Sequence, residues 1–522
     1  MKNEMNRLIR VNLCSSVANG LFSTPDIVPS GSQLFAPLLT IAAVSLGIAI
    51  EIRDGEYTRS AMALVTAAIL ATIAAVALWP NGGVEGRREK CRATPTTVAW
   101  ARWLLLGLMG LGLVAQFVAL YVVWPGVDLP HRGHGQLVPF DVGLGAAAVL
   151  LALGSQQQWP RIRMVVFPLV LAVSLLLSFW MVHGSADPHI DVWVFQQQAS
   201  QQLLKGHNPY AMTFPDIYHS TLPGKQQVYG NGLVVNDRLQ FGFPYPPVSL
   251  LLAAIGYAVA GDHRYAQAVA IVLAGLFIGY CRRGRIALLA AALLLFTPRV
   301  FFVLGRGWTE PFVVVLLAAT IFCAVRRSRW LPAALGLFLA TKQYLVFAVP
   351  LTFFLLPRDW TWRDWIGLLF KSAAVAVVVT LPLALWDFPA YWKSTVTVQQ
   401  LSPFRWDALS FLVWYGFRGH LVTEPWTAAL WSTLAALAAL GFSWWKSART
   451  PAGFAASLAL ISLVFFAFNK QAFCNYYFFV IGAFCCAIAS GEVGPPPGAH
   501  DDVYTTVGQG IIYSRDGSME AR

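Results

Sequence analysis

Apolar stretches recur along this chain at the lengths a lipid bilayer demands: 34–50, 61–79, 103–124, 142–153 with its flanks, 164–182, 265–280, 286–303, 312–325, 366–386, 426–442, 455–468 and 476–489. A helix rises about 1.5 Å per residue, so roughly 20 residues cross about 30 Å of hydrocarbon. With 57% hydrophobic and 12% charged residues among 522, there is too little polar surface to wrap so many runs around a soluble core. The expectation is an all-α polytopic membrane protein. The first residues, MKNEMNRLIRVNLCSS, hold no apolar core ahead of a cleavage site, so the first span itself is expected to direct insertion.

Orientation follows from Lys and Arg, which accumulate in short cytoplasmic loops. The clusters MKNEMNRLIR, GRREKCR, WPRIR, CRRGR, RRSR, PRDWTWRDW and WKSART all fall inside only if the apolar segment 245–261 does not cross. It is therefore expected as a re-entrant or surface-lying helix opened by Pro246 and Pro247. The same parity folds 331–357 into a short hairpin with TKQY at its outer tip. Four regions result: a cytoplasmic N-terminus over 1–33, about four spans over 34–158, a second membrane region over 159–490 with an outer loop at 183–244, and a disordered Gly/Pro-rich cytoplasmic tail over 491–522. A loop as long as 183–244 is uncommon unless it is functional.

Cysteine and charge exclude other classes. Seven cysteines scattered mostly through inner or membrane segments imply no disulfide framework, and the Cys and His spacing has no zinc pattern. The formal charge of +12 comes mostly from the inner loops and reads as anchoring to anionic lipid; nucleic acid is not an expected partner, since no soluble basic face is present.

The outer loop opens with DPHIDVWVFQQQASQQLLKGHNPY. Asp187 and Pro188 read as a helix cap and first-turn proline. Val192, Phe195, Ala199 and Leu203 then recur at helical spacing, and Gly206 ends the helix. Such a helix is expected to lie on the bilayer surface, apolar side down, with Gln196, Gln197, Gln198, Gln201 and Gln202 turned to water or a polar substrate. Asp191 stands on its first turn, where a carboxylate is unfavourable unless hydrogen-bonded or used. On the same outer side stand Arg299, Arg306, Lys342, Lys393, Arg405 and Lys470, against the positive-inside bias. A set of that size suggests a bound phosphate, although snorkelling accounts for one or two of them. Glu310, in RGWTEP, reads either as a second functional carboxylate or as a partner for Arg306.

Taken in order, IDVWVFQQQASQQLLKGHNPY, FPYPP, GWTEP, ATKQYLVFAVPL, SPFRWDALS and NKQAFCNYY resemble the GT-C superfamily of membrane glycosyltransferases. The similarity is greatest to glycosyltransferase family 87, the DUF2029-type, polyprenol-phosphate-mannose-dependent alpha-mannosyltransferases, and covers roughly 167–489. The resemblance implies a GT-C-like transmembrane bundle with a large extracytoplasmic loop carrying surface helices, in a plasma (inner) membrane, with its active site on the extracytoplasmic or periplasmic face. It implies a polyprenyl-phosphate-linked sugar donor, a hexose with mannose as the family's commonest sugar, and a lipid or glycan acceptor. Family members have an essential acid in the first large outer loop, and Asp191 matches it. The four preceding spans are a departure from the family, and the outer His of some relatives finds no assigned counterpart among His183, His189 and His207.

The implied chemistry makes Asp191 the base for the acceptor hydroxyl, with Glu310 as the second catalytic candidate. Arg306, Lys342, Arg405 and Lys470 would stabilise the leaving phosphate, with Gln343, Asn208 and Tyr210 on the substrate side and Tyr245 and Trp308 beside the sugar. A single base predicts inversion at the anomeric carbon. No cofactor or metal is expected, because the leaving group is a monophosphate; a divalent ion among Asp191, Glu310 and Asp407 is the less favoured alternative. Oligomeric state is left open. The competing readings are a secondary transporter, which should show two related halves, and a lipid-linked-sugar flippase, which needs no positioned carboxylate.

Overall fold

The computed structural model describes residues 31–79, 95–129, 134–155, 160–220, 227–356, 361–417 and 425–491. The tail expected over 491–522 and almost all of the N-terminal segment 1–33 lie outside these. Helices α1 Gly31–Glu51, α2 Arg59–Leu78, α3 Pro95–Val122, α4 Val138–Ser155 and α5 Pro160–Gly184 come first. The loop helix α6, Asp191–Leu204, is followed by α7 Pro247–Ala260, α8 Arg264–Gly279, α9 Arg285–Leu295, α10 Val300–Gly305, α11 Glu310–Val325, α12 Leu331–Leu339 and α13 Trp362–Trp386. After short helical turns across 388–416 come α14 Pro425–Lys446, α15 Pro451–Ala467 and α16 Cys474–Gly491. Among the described residues, eight helices are long and apolar enough to cross a membrane. The architecture is that of an all-α membrane protein.

The bundle is built from the inside out. In α9 every residue from Ile286 to Leu295 is buried, and α15 and α16 are buried along nearly their whole length. A helix apolar on every side is stable only when surrounded. Around this centre the longer helices turn apolar side chains outward: Leu111, Val122, Phe370 and Val378 are each more than two-thirds exposed, as a lipid-facing surface requires. The first helix packs on both α2 and α16, so the N-terminal block is built into the bundle.

Side-chain contacts sort the loops to two ends. Arg282 donates to the Ser490 carbonyl, Arg285 to that of Ser155 and Arg326 to that of Tyr280, placing these basic loops at the end where α4 and α16 finish. The loop helix lies at the other end. Helix α7 starts and finishes there: Tyr245, just before it, stacks on Lys342, and the Gly261 carbonyl after it accepts from Gln197 of α6 at 2.6 Å. Both ends of α7 therefore lie on the side of the loop helix.

Two local expectations are corrected. The stretch 286–303 is not one helix; it breaks between α9 and α10 at Thr297-Pro298-Arg299. Proline supplies no backbone donor and biases the preceding residue away from the helical region, and Arg299 takes a left-handed φ of 67°. Nor does Asp187 cap the loop helix: it has φ 47°, and the N-cap position falls on Ile190, which makes no side-chain cap bond. Asp191 itself, at the first helical position, accepts from the Val192 amide at 2.8 Å. The expected stop at Gly206 lies two residues past the helix end, with φ 77°.

The rest of the loop folds into a small antiparallel sheet ordered β1-β3-β2, with strands Phe214–Pro215, Val234–Val235 and Arg238–Leu239. Asn236 and Asp237, at φ 50° and 55°, form the two-residue turn that such a hairpin favours. Phe195, Ala199, Tyr210, Phe214, Phe241 and Phe243 close a second core beneath it.

Candidate active site

Asp191 is the convergence point at the loop end. Its Oδ2 accepts from the Tyr229 hydroxyl at 3.1 Å and its Oδ1 from the Tyr218 hydroxyl at 3.4 Å, while its own amide donates to the Tyr218 oxygen at 3.2 Å. Burial raises the carboxyl above the usual aspartate range; the Tyr229 bond, the Val192 amide, the Arg405 charge and Tyr218 pull the other way without cancelling it. The residue as a whole stays partly accessible. The tyrosines are fixed from behind. Asp216, buried, accepts from the Tyr218 amide and from the Ser220 amide and hydroxyl, forming the turn that presents Tyr218. Next to Tyr229, Gly230 lies so close to the Leu401 carbonyl that a Cβ could not fit.

Glu310 is likewise the first residue of its helix, α11, and is fully buried. It pairs with Lys342 at 3.3 Å, not with Arg306. Lys342, at the hairpin tip, lies 3.9 Å from the centre of the Tyr245 ring, and its burial pulls the ammonium pKa down against the opposing pull of Glu310. Tyr245 and Tyr476 lie close enough to both Asp191 and Glu310 to feel both charges. One patch thus joins the loop helix, α11, the hairpin tip and α16.

The cations are more committed than the sequence indicates. Arg405 is in electrostatic range of Asp191 and grips Asp407 through bonds of 2.9 and 2.6 Å. Lys470 donates to the carbonyls of Gln399, Gln400 and Ser402, and burial lowers its pKa to about 8. Arg306 pairs with Asp128 at 3.4 Å and donates to the His189 carbonyl. Arg299, nearly buried, is held by Asp54 at 2.7 Å and Glu51 at 3.4 Å, which removes it from the phosphate set. Lys393 is exposed.

Three of the expected substrate contacts also make structural bonds. Tyr210 is buried with its hydroxyl on the Tyr245 carbonyl, Asn208 accepts from the Tyr210 amide, and Gln343 ties the Pro244 and Thr395 carbonyls together. Trp308 packs edge-on against Phe302 at 5.3 Å. The glutamine face is corrected at Gln196 and Gln197, while Gln198, Gln201 and Gln202 stay partly exposed. Gln196 is fully buried and donates to the Gly307 carbonyl, which Gln267 also reaches at 3.1 Å, and Gln197 holds Gly261 and His263. Burial keeps His263 neutral, its pKa lowered to about 4. Of the outer histidines, His189 has its ring 5.7 Å from that of Tyr218. Tyr218, Tyr229 and Asp128 were not singled out from the sequence; nothing in their local pattern separates them from other loop residues.

Beside the patch runs an apolar groove of about 390 Å³, with Lys342 and Gln343 at its polar end and Val346, Ala376, Val377 and Thr380 along its walls. Val346 and Val377 are more than half exposed, so the groove opens sideways. Among the described residues no group of three His, Cys, Asp or Glu side chains is arranged to hold a metal ion. No family model, curated protein or solved structure matches this chain.

Proposed function

We propose that the protein is an integral membrane glycosyltransferase that moves a hexose from a polyprenyl-phosphate sugar to an extracytoplasmic lipid or glycan acceptor. What carries the reading is the meeting of Asp191, Glu310 and Lys342 around Tyr245, with Arg405 in electrostatic range of Asp191, at the polar end of a groove that opens sideways. A polyprenyl chain suits the groove and places its phosphate near Lys342. The basic loops at the opposite end favour an extracytoplasmic site.

In this reading Asp191 accepts the proton of the acceptor hydroxyl as that oxygen bonds to the anomeric carbon. The bond from that carbon to the phosphate oxygen breaks, and polyprenyl phosphate leaves with the electron pair. One displacement inverts the anomeric configuration. Lys342 and Arg405 offset the charge on the departing phosphate, each already balanced by its own carboxylate, so the site holds the anion without concentrating positive charge in the free protein.

The test is sugar transfer by the purified protein from a polyprenyl-phosphate hexose. Asp191→Asn keeps the shape and removes the base, and a loss of about 10²-fold or more in kcat with unchanged thermal unfolding is expected. Transfer at an undiminished rate by that variant overturns the assignment.

A further inference from the structure

We propose that the four N-terminal helices are a brace for the reacting carboxylate, with Asp128 a positioning residue that acts on Asp191 through Arg306. The role of Asp191 here rests on the glycosyltransferase reading; the brace itself rests on contacts alone.

The brace has two arms. In the first, Asp128, on the loop after α3, meets Arg306 at 3.4 Å, and Arg306 donates at 3.1 Å to the carbonyl of His189. His189 stands two residues before Asp191, and Ile190 between them is the N-cap of α6. Both members of the pair are largely shielded, with side chains 20% and 16% exposed, so the contact is less screened by salt than a surface pair. Arg306 also closes the six-residue helix α10, whose other end is Arg299. That arginine is gripped by Glu51 and Asp54 from the turn between α1 and α2 and donates to the Trp124 carbonyl. Acids from the N-terminal block therefore hold α10 at both ends.

In the second arm the same turn reaches the opposite flank. Glu56 bridges to Ala408, and the Tyr57 amide donates to the Asp407 carbonyl at 3.0 Å. Asp407 orients Arg405, whose charge acts on Asp191. The two arms hold both sides of one carboxylate, and a displacement of about 1 Å at such a centre costs up to about a hundredfold in rate.

The full-length protein in lipid nanodiscs provides the test, with hydrogen–deuterium exchange read beside kinetics. Asp128→Asn should speed exchange of the amides at 189–194 and leave 405–409 unchanged. It should lower kcat about tenfold with donor KM held within about twofold, and Asp128→Glu should restore most of both. Arg306→Gln should give the same loss, and the double variant no more than either alone, because both break one link. Tyr57→Pro, which deletes the amide donor, should speed exchange at 405–409 instead. Unchanged exchange at 189–194 in Asp128→Asn, losses that multiply in the double variant, or general exchange throughout the bundle each overturn the brace. If exchange responds as described while the wild-type protein transfers no sugar, the functional reading falls and the brace stands.

Discussion

Asp191 shares its carboxylate among a backbone amide and two phenols while burial works against its charge. A carboxylate that serves as a base must be ionised, so activity is present above its pKa and lost as pH falls through it. Because burial has raised that pKa, the acid loss begins at higher pH than for an ordinary aspartate. Tyr229→Phe removes a donor to the charged form and should move the acid limb of the pH–rate profile further upward. At a fixed pH on that limb the rate should drop about tenfold to a hundredfold, consistent with roughly 1.5–3 kcal/mol for a hydrogen bond to a charged group, and it should recover toward wild type at alkaline pH. An unmoved limb would mean that Tyr229 only packs. Asp191 was legible in the sequence because a carboxylate at a membrane surface is conspicuous. Its two tyrosines were not, since they arrive from 27 and 38 residues away and only the folded loop shows which side chains return to the helix start.

Helical spacing placed the loop helix within a few residues, yet its polar side had a different use. Buried amides stabilise when every donor finds a carbonyl and cost free energy otherwise, so Gln196 and Gln267 meeting on the Gly307 carbonyl tie the start of α11 to the side of α6. The turn depends on Gly307, which has φ 68° and would set a Cβ 2.9 Å from His263 Nε2 and 3.3 Å from Trp193 Cδ1. Gly307→Ala should destabilise the protein by about 1–3 kcal/mol, combining a left-handed backbone penalty of about 1–2 kcal/mol with the collision against a buried ring. A thermal unfolding midpoint equal to wild type would show that the turn relaxes freely. Periodicity alone cannot tell a glutamine face that meets water from one that meets another loop, because both present the same alternation; the partner loops decide. The broken stretch at 286–303 carries the same lesson from the other direction: Pro298 was visible, but its apolar flanks made the run look continuous.

Across the whole molecule, short buried helices form the centre and long apolar ones the lipid-facing rim, with the groove between α13 and the segment 339–349 opening sideways beside the Asp191 patch. If a polyprenyl chain lies there, Val377→Trp should fill part of the groove and raise donor KM about tenfold with little change in unfolding, since the side chain is half exposed. A donor KM within error of wild type would place the lipid elsewhere. The sequence by itself determined the helical class, the approximate limits of most apolar elements, and the gathering of polar chemistry in a few connecting segments, because hydrocarbon leaves a backbone no alternative to satisfying its own hydrogen bonds within helices. Only the tertiary structure decided which charges remain available: Arg299, Arg306 and Arg405 look alike along the chain, yet each meets a different carboxylate. Pairing between groups remote in sequence is a matter of angstroms in three dimensions, and electrostatic energy in a desolvated site depends on those angstroms far more than on residue type.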